Sequence, residues 1–93
     1  MVVYTLDKQV KLIFDKAANK YYAFCITSGD YFSLTPSGFN IMQKVSAGMS
    51  SAEIVKILCN EYEIDKNKCK NDVDEFLKNV ENIGLIKKFK EEE

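Results

Sequence analysis

The chain has 93 residues, of which 46% are hydrophobic and 12% aromatic, so a single domain with its own packed core is expected. Residues 1–50 carry five lysines and three acids (+2) and residues 51–93 carry eight lysines and eleven acids (−3), for a formal net charge of −1. The sequence contains no arginine, histidine or tryptophan. Histidine is the usual acid–base catalyst and metal ligand, and arginine the usual reader of phosphates and guanine edges. The composition therefore disfavours acid–base enzymes, zinc proteins and sequence-specific DNA binders.

The cysteines indicate a reducing compartment. Cys25, Cys59 and Cys69 are odd in number and show no Cys-x-x-Cys spacing, so a disulfide framework is not expected, although Cys59 and Cys69 remain a conceivable pair. The first residues, "MVVYTLDKQVK", contain no apolar run of the length of a signal peptide or a membrane span. We expect a cytoplasmic protein with reduced thiols, no cofactor, no metal and no membrane contact.

The first third of the chain predicts three strands. "KLIFD" (Lys11–Asp15) and "YYAFCIT" (Tyr21–Thr27) are rich in β-favouring residues, and "YFSL" (Tyr31–Leu34) follows the turn residues Ser28–Asp30. The short connections predict an antiparallel meander with one face on a core. Alternation places three residues of the second strand on one face, namely Tyr22, Phe24 and Ile26. In the third strand Phe32 and Leu34 share a face, which leaves Tyr31 and Ser33 on the other.

From Thr35 the apolar period changes to that of a helix. Thr35 suits an N-cap and Pro36 suits the first helical position, and Gly48 is placed to end the helix. A second helix follows in "SSAEIVKILCNEY", where Ser50 and Glu53 have the spacing of a capping box.

The third predicted helix is the longest and runs from about Asp65 to Ile83. Asp65 is its candidate cap, and Gly84 is placed for a left-handed stop. Its apolar arc consists of Cys69, Val73, Phe76, Leu77, Val80 and Ile83. The "LIKKF" segment at residues 85–89 fits either a short strand or an ordered tail.

The predicted order is three strands and then three helices, an α+β domain in which a three-stranded antiparallel β-sheet is followed by a three-helix bundle. This plan is similar to that of a winged helix-turn-helix. One domain is expected over residues 1–93, with an N-terminal extension at residues 1–9 and a charged tail at residues 88–93.

Three motifs carry a resemblance to a known family. "LTPSG" at Leu34–Gly38 resembles a Leu-Asn-x-x-Gly joint between strand and helix, and "SAEIV" at Ser51–Val55 resembles the opening of the family's second helix. The third motif combines "NDV..FL" at Asn71–Leu77 with "IGLI" at Ile83–Ile86. In order and spacing they resemble the PqqD family, whose members are also called RiPP recognition elements, over about residues 10–87.

The resemblance implies a binding function rather than an enzymatic one. Family members bind the leader of a ribosomally made precursor peptide and present it to a modifying enzyme, such as a radical SAM enzyme. Two positions depart from the family pattern: Thr35 stands for the usual Asn, and Met42 for a frequent Trp. Threonine can replace asparagine as a helix cap, so the first departure is mild.

The resemblance also implies a site. The leader would pair as an added strand with the third strand of the sheet and lie against the third helix. That strand consists of Tyr31, Phe32, Ser33 and Leu34, and it lacks the Lys and Pro residues that usually block an exposed edge. Phe76, Val80 and Ile83 are the candidates for the groove, with Asp72 and Asn79 as polar contacts at its rim. An exposed edge also allows a weak or strand-swapped homodimer beside the monomer.

Three alternatives remain open at this stage. The topology suits a winged-helix nucleic-acid binder, although the net charge and the lack of arginine oppose it. The same apolar surface would suit a subunit or inhibitor that binds a folded protein. A small enzyme could use a carboxylate pair such as Asp72 and Glu75.

Overall fold

The computed structural model of the protein describes residues 2–91, with side chains described through residue 89. It confirms the α+β class. The elements in chain order are β1 (Val2–Leu6), β2 (Val10–Asp15), β3 (Lys20–Cys25), β4 (Tyr31–Leu34), α1 (Pro36–Ser46), α2 (Ser51–Tyr62), α3 (Lys66–Asn82) and β5 (Ile86–Glu91).

The three predicted strands form one antiparallel sheet in the order β2-β3-β4. Strand β3 ends at Cys25, two residues earlier than predicted, because the chain turns there. Gly29 adopts a left-handed conformation with φ of 77°, and its amide donates a hydrogen bond to the Cys25 carbonyl. Ile26 and Thr27 therefore belong to the connection between β3 and β4.

The two ends of the chain differ from the sequence expectation. Val2–Leu6, expected as part of an extension, form β1 and pair antiparallel with Ile86–Glu91, which form β5. The open question about residues 85–89 is thus answered by a strand, and the expected charged tail is strand through Glu91. Glu92 and Glu93 lie outside the described residues. Each strand finds its partner at the opposite end of the chain, so neither segment carries a local signal of the pairing.

The helix caps form as predicted. The Thr35 hydroxyl accepts a hydrogen bond of 3.0 Å from the Gly38 amide. Ser50 and Glu53 form the reciprocal capping box, with bonds of 3.0 and 3.2 Å. The Asp65 carboxylate accepts from two amides of the first turn of α3, and Gly84 follows α3 with φ of 88°. These local contacts fix where each helix starts, and so fix α1 directly after β4.

The core lies between the helices and one face of the meander. Its most buried side chains include Met42, Ile54, Leu77 and Leu85. The meander contributes Ala23, with Phe32 and Leu34 packed against the cluster.

Within the described residues, no helix has the length and apolar character needed to cross a membrane.

The opposite face of the meander carries aromatic rings away from the helices. The ring centroid of Tyr31 lies 5.7 Å from that of Tyr22 and 4.6 Å from that of Phe24. Tyr31 is 61% exposed. The face that alternation assigns to Tyr22 and Phe24 is therefore the outer face of the sheet.

Candidate functional site

The last strand of the meander, β4, has an open side. Among the described residues β4 pairs only with β3, in the register Tyr21↔Leu34 to Phe24↔Tyr31. The Cys25 amide continues this register with a hydrogen bond of 2.9 Å to the Asp30 carbonyl. Hydrogen-bonded and non-hydrogen-bonded pairs alternate along an antiparallel ladder. Every second residue of β4 therefore directs its backbone away from β3.

The backbone N–H and carbonyl groups of Tyr31 and Ser33 point outward, whereas those of Phe32 and Leu34 form hydrogen bonds with β3. No described residue outside the β3–β4 ladder forms a hydrogen bond with the backbone of Tyr31 or Ser33. Two N–H groups and two carbonyls are thus presented along the edge, and β4 contains neither Lys nor Pro. An edge of this kind is a template for an additional strand.

A groove of about 510 Å³ begins where β4 ends. It lies between the first turn of α1, the end of α2 and the first half of α3. Its lining consists of Thr35, Ser37, Gly38, Ile41, Leu58, Tyr62, Ile64, Cys69, Asp72, Val73 and Phe76. Most of these side chains are apolar, and Asp72 is the one that carries a charge. The groove can therefore accept apolar side chains from an extended segment that continues past Leu34.

Two residues from different helices set the wall of the groove. A β-carbon built on Gly38 would lie 2.9 Å from Cε1 of Phe76 and 3.1 Å from the Thr35 hydroxyl oxygen. The ring of Phe76 therefore sits directly on the backbone of α1. The Leu34–Gly38 motif thus has a physical role, because its glycine admits α3 next to the strand-to-helix joint.

The third-helix candidates divide between groove, surface and core. Asp72, Phe76, Asn79 and Ile83 follow one another at spacings of three or four and so share one side of α3. Asp72 and Phe76 line the groove, whereas Asn79 and Ile83 are exposed on the same side beyond it. Val80 is only 5% exposed and belongs to the core cluster. Val80 is therefore a core residue, because it shares the inner side of α3 with Val73 and Leu77.

The four candidates on β4 differ in what they offer. The side chains of Phe32 and Leu34 are half-buried against the core and therefore expose less surface than their neighbours on β4. Tyr31 and Ser33 are exposed on the outer face and also carry the outward backbone groups. Of the four, they are the most exposed.

Several lining residues were not anticipated from sequence, notably Ile41, Leu58, Tyr62 and Ile64. Ile41 and Leu58 are buried apolar positions of amphipathic helices, which look the same in sequence whether they face the core or the floor of a groove. Tyr62 and Ile64 bracket the end of α2, where Glu63 adopts a left-handed conformation. The Leu34–Gly38 motif was the sequence signal that located this region.

The thiol in the lining is unsuited to nucleophilic chemistry. Burial, followed by the charges of Cys59 and Asp72, raises the pKa of the Cys69 thiol above its ordinary value. Cys69 therefore stays protonated at neutral pH, whereas the thiolate is the reactive form. Among the residues described by the structure, no group of three or more Cys, Asp or Glu side chains could hold a metal ion.

Solved structures share this fold. TbiB1, determined in complex with the TbiA(beta) leader peptide, aligns with a TM-score of 0.81 at 23% identity, over 94% of this chain and 99% of its own. Lasso peptide synthetase B1, complexed with the leader peptide, aligns with a TM-score of 0.80 at 19% identity, over 90% of this chain and 96% of its own. The PqqD truncation of Methylobacterium extorquens PqqCD, described as a stand-alone RiPP recognition element, aligns with a TM-score of 0.77 at 21% identity. The alignment covers 91% of this chain and 88% of the truncation.

The family assignment comes from the sequence. No curated protein matches the chain significantly. The family model of coenzyme PQQ synthesis protein D (PqqD) matches residues 3–86, which include both the strand-to-helix joint and all of α3. The match spans nearly the whole chain, and the chain therefore belongs to the PqqD family.

Proposed function

We propose that this protein is a non-catalytic carrier that binds the leader of a ribosomally made precursor peptide. The leader adds as a strand to β4 and is presented to a peptide-modifying enzyme, such as a radical SAM enzyme. The observation that carries the proposal is the outward-facing backbone of Tyr31 and Ser33 beside the groove that Phe76 and Asp72 line. The single-domain chain and a cytoplasmic location belong to the same proposal.

Family membership and fold support this function. Two of the structures with this fold, TbiB1 and lasso peptide synthetase B1, hold leader peptides. The Methylobacterium extorquens PqqD truncation is described as a functional and stand-alone recognition element. This description supports the proposal that a chain with this fold recognises a leader on its own.

The energetics require both the edge and the groove. The four outward backbone groups of β4 allow about four hydrogen bonds, each with a net contribution of about 1 kcal/mol. Micromolar affinity corresponds to about −8 kcal/mol, and the leader also loses conformational freedom when it binds. Apolar side chains in the groove must supply the difference. Specificity for one leader then resides mainly in the groove, since backbone hydrogen bonds accept any sequence.

Carrying a leader is useful without any chemistry in the carrier. A leader held near an enzyme raises the effective concentration of the attached core peptide to the millimolar range for short tethers. Because only the leader is bound, the core peptide remains free to enter the active site of the enzyme.

A proline substitution in the edge strand tests this function. The ligand is a fluorescein-labelled synthetic peptide with the sequence of the precursor's leader, and binding is measured by anisotropy. Ser33→Pro removes an outward N–H without touching the bonds to β3, so at least a tenfold loss of affinity is expected. Ser33→Ala keeps that N–H and should bind as the wild type does. Equal binding by the proline variant, with its circular dichroism unchanged, would rule out strand addition at β4.

A further inference from the structure

A second and larger groove lies on the other side of α3. Its volume is about 780 Å³, and it is bounded by the start of β1, by α2 and by the first half of α3. Its lining consists of Val2, Ser51, Ala52, Val55, Lys56, Cys59, Asn60, Lys66, Lys70 and Asp74. None of these residues lines the groove beside β4.

The rim of the second groove is basic in an otherwise acidic part of the chain. Three lysines face one carboxylate there, whereas residues 51–93 together carry a charge of −3. Lys70 pairs with Asp74 at 3.2 Å. No ion pair to Lys56 or Lys66 is found among the described residues. The rim thus has two uncompensated positive charges, which favour a partner that carries carboxylates.

The floor of this groove is apolar. Val55 is buried, and Val2 and Ala52 contribute further aliphatic surface. The half-buried Cys59 thiol already donates its hydrogen to the Ile64 carbonyl, at 3.0 Å. The floor therefore suits apolar side chains, while the lysine ammonium groups remain at the rim.

Both grooves can be filled at once. Lys66, Lys70 and Asp74 recur every four residues along one side of α3. Asp72 and Phe76, which line the first groove, follow Lys70 and Asp74 by two residues each. Both therefore lie about 200° around the helix from the side that carries the lysines. A chain bound at β4 would therefore leave the lysine-rimmed groove accessible.

We infer that the lysine-rimmed groove is a docking site for an acidic amphipathic segment, with apolar residues on one face and carboxylates on the other. That the segment belongs to the modifying enzyme rests on the proposed function. The charges at Lys56 and Lys66 select the acidic partner, and the Val55 floor binds its apolar face. The carrier would hold the leader and the enzyme on opposite sides of one helix.

A model peptide tests the chemistry of the groove. The probe is a synthetic 16-residue helical peptide with leucines on one face and glutamates on the other, titrated into ¹⁵N-labelled protein. The amides of Ala52, Val55 and Lys56 should shift, and Lys56→Glu/Lys66→Glu should weaken binding at least tenfold. The matched control, Lys11→Glu/Lys20→Glu, makes the same charge change on exposed lysines of the meander and should bind as the wild type does.

Four outcomes would overturn the docking site. The first three are an absence of binding by the glutamate peptide, equal binding by a counterpart with lysine in place of glutamate, and shifts that fall on β4 instead. The fourth involves Glu91, whose backbone pairs with Val2 at the mouth of the groove. If Gln replacement of Glu91–Glu93 moved the Lys56 resonance without probe, the chain's own tail would be the occupant. Leader binding by Lys56→Glu/Lys66→Glu, measured separately, should equal that of the wild type, so failure of the docking site and failure of leader binding are distinguishable.

Discussion

The ring of Phe76 on α3 lies against the backbone of Gly38 on α1, so close that a β-carbon at position 38 would be 2.9 Å from Cε1. This contact joins the long helix to the glycine of the strand-to-helix joint. It brings α3 next to the end of the free β4 edge and positions one wall of the groove. The geometry of the candidate site thus depends on the absence of a single methyl group.

Gly38→Ala should alter the groove more than the stability. The methyl group displaces the Phe76 ring, while alanine is a better helix former than glycine by up to about 1 kcal/mol. We expect the free energy of unfolding to change by less than about 1 kcal/mol and leader affinity to fall several-fold. Urea unfolding and anisotropy measure the two quantities on the same samples.

Phe76→Leu is the companion to this variant. Combined with Gly38→Ala, the smaller side chain should relieve the clash, so the double variant should bind better than Gly38→Ala alone. Unchanged affinity in Gly38→Ala would mean that the Phe76 ring does not shape the binding site.

Val80 and Ile83 should respond in opposite ways. Val80 is buried, so Val80→Ala leaves a cavity and should lower the free energy of unfolding by about 2 kcal/mol. Ile83 is 54% exposed on the groove side of α3, so Ile83→Ala should leave stability within about 0.5 kcal/mol of the wild type. Of the two variants, only Ile83→Ala is expected to weaken leader binding, because it removes apolar side-chain surface that would contact the leader. A stable Val80→Ala protein with impaired binding would place Val80 in the groove instead.

The features predictable from sequence were those whose causes are local. Ser50 with Glu53 and the Asp65 cap act within one helical turn, so their spacing alone identified where helices begin. The β1–β5 pair joins segments about 80 residues apart, and each is too short to reveal its partner. The Gly38–Phe76 contact is likewise non-local. The Leu34–Gly38 motif identified the strand-to-helix joint in the sequence. That the Phe76 ring packs against Gly38 is seen only in the folded structure.

The capping box should make stability depend on acid pH. Hydrogen bonds from the backbone and hydroxyl of Ser50 lower the pKa of the Glu53 carboxyl in the folded state. Its contribution is therefore present above the ordinary carboxyl pKa and is lost as the pH falls through the lowered, folded-state value. Over this range the wild type should lose more stability than Glu53→Gln in urea unfolding. Parallel pH profiles would mean that this carboxylate contributes nothing.

Removal of the other half of the box should be costly at all pH values. Ser50 is 1% exposed and its hydroxyl accepts from the Glu53 amide, so Ser50→Ala should lower the free energy of unfolding by about 1–2 kcal/mol. Ser50→Asp, which restores an acceptor, serves as the control and should recover part of the loss. Equal stability of Ser50→Ala and the wild type would contradict a capping role.

The three thiols should differ in reactivity. Hydrogen bonds from the hydroxyl and amide of Ser28 lower the pKa of the half-buried Cys25 thiol, whereas burial raises that of Cys69. Iodoacetamide should therefore modify Cys25 first and Cys69 last in the native protein, as followed by peptide mass spectrometry. Ser28→Ala should slow the reaction at Cys25 without affecting Cys59. Rapid labelling of Cys69 under native conditions would contradict its burial.

Titration of ¹⁵N-labelled protein with the leader, followed by amide chemical shifts, tests strand addition most directly. The amides of Tyr31–Leu34 should shift, together with those on the Asp72–Ile83 side of α3, and the Tyr31 and Ser33 amides should become protected from hydrogen exchange. Shifts confined to α1 and α2, with the Tyr31 and Ser33 amides still exchanging freely, would contradict the addition of a leader strand to β4.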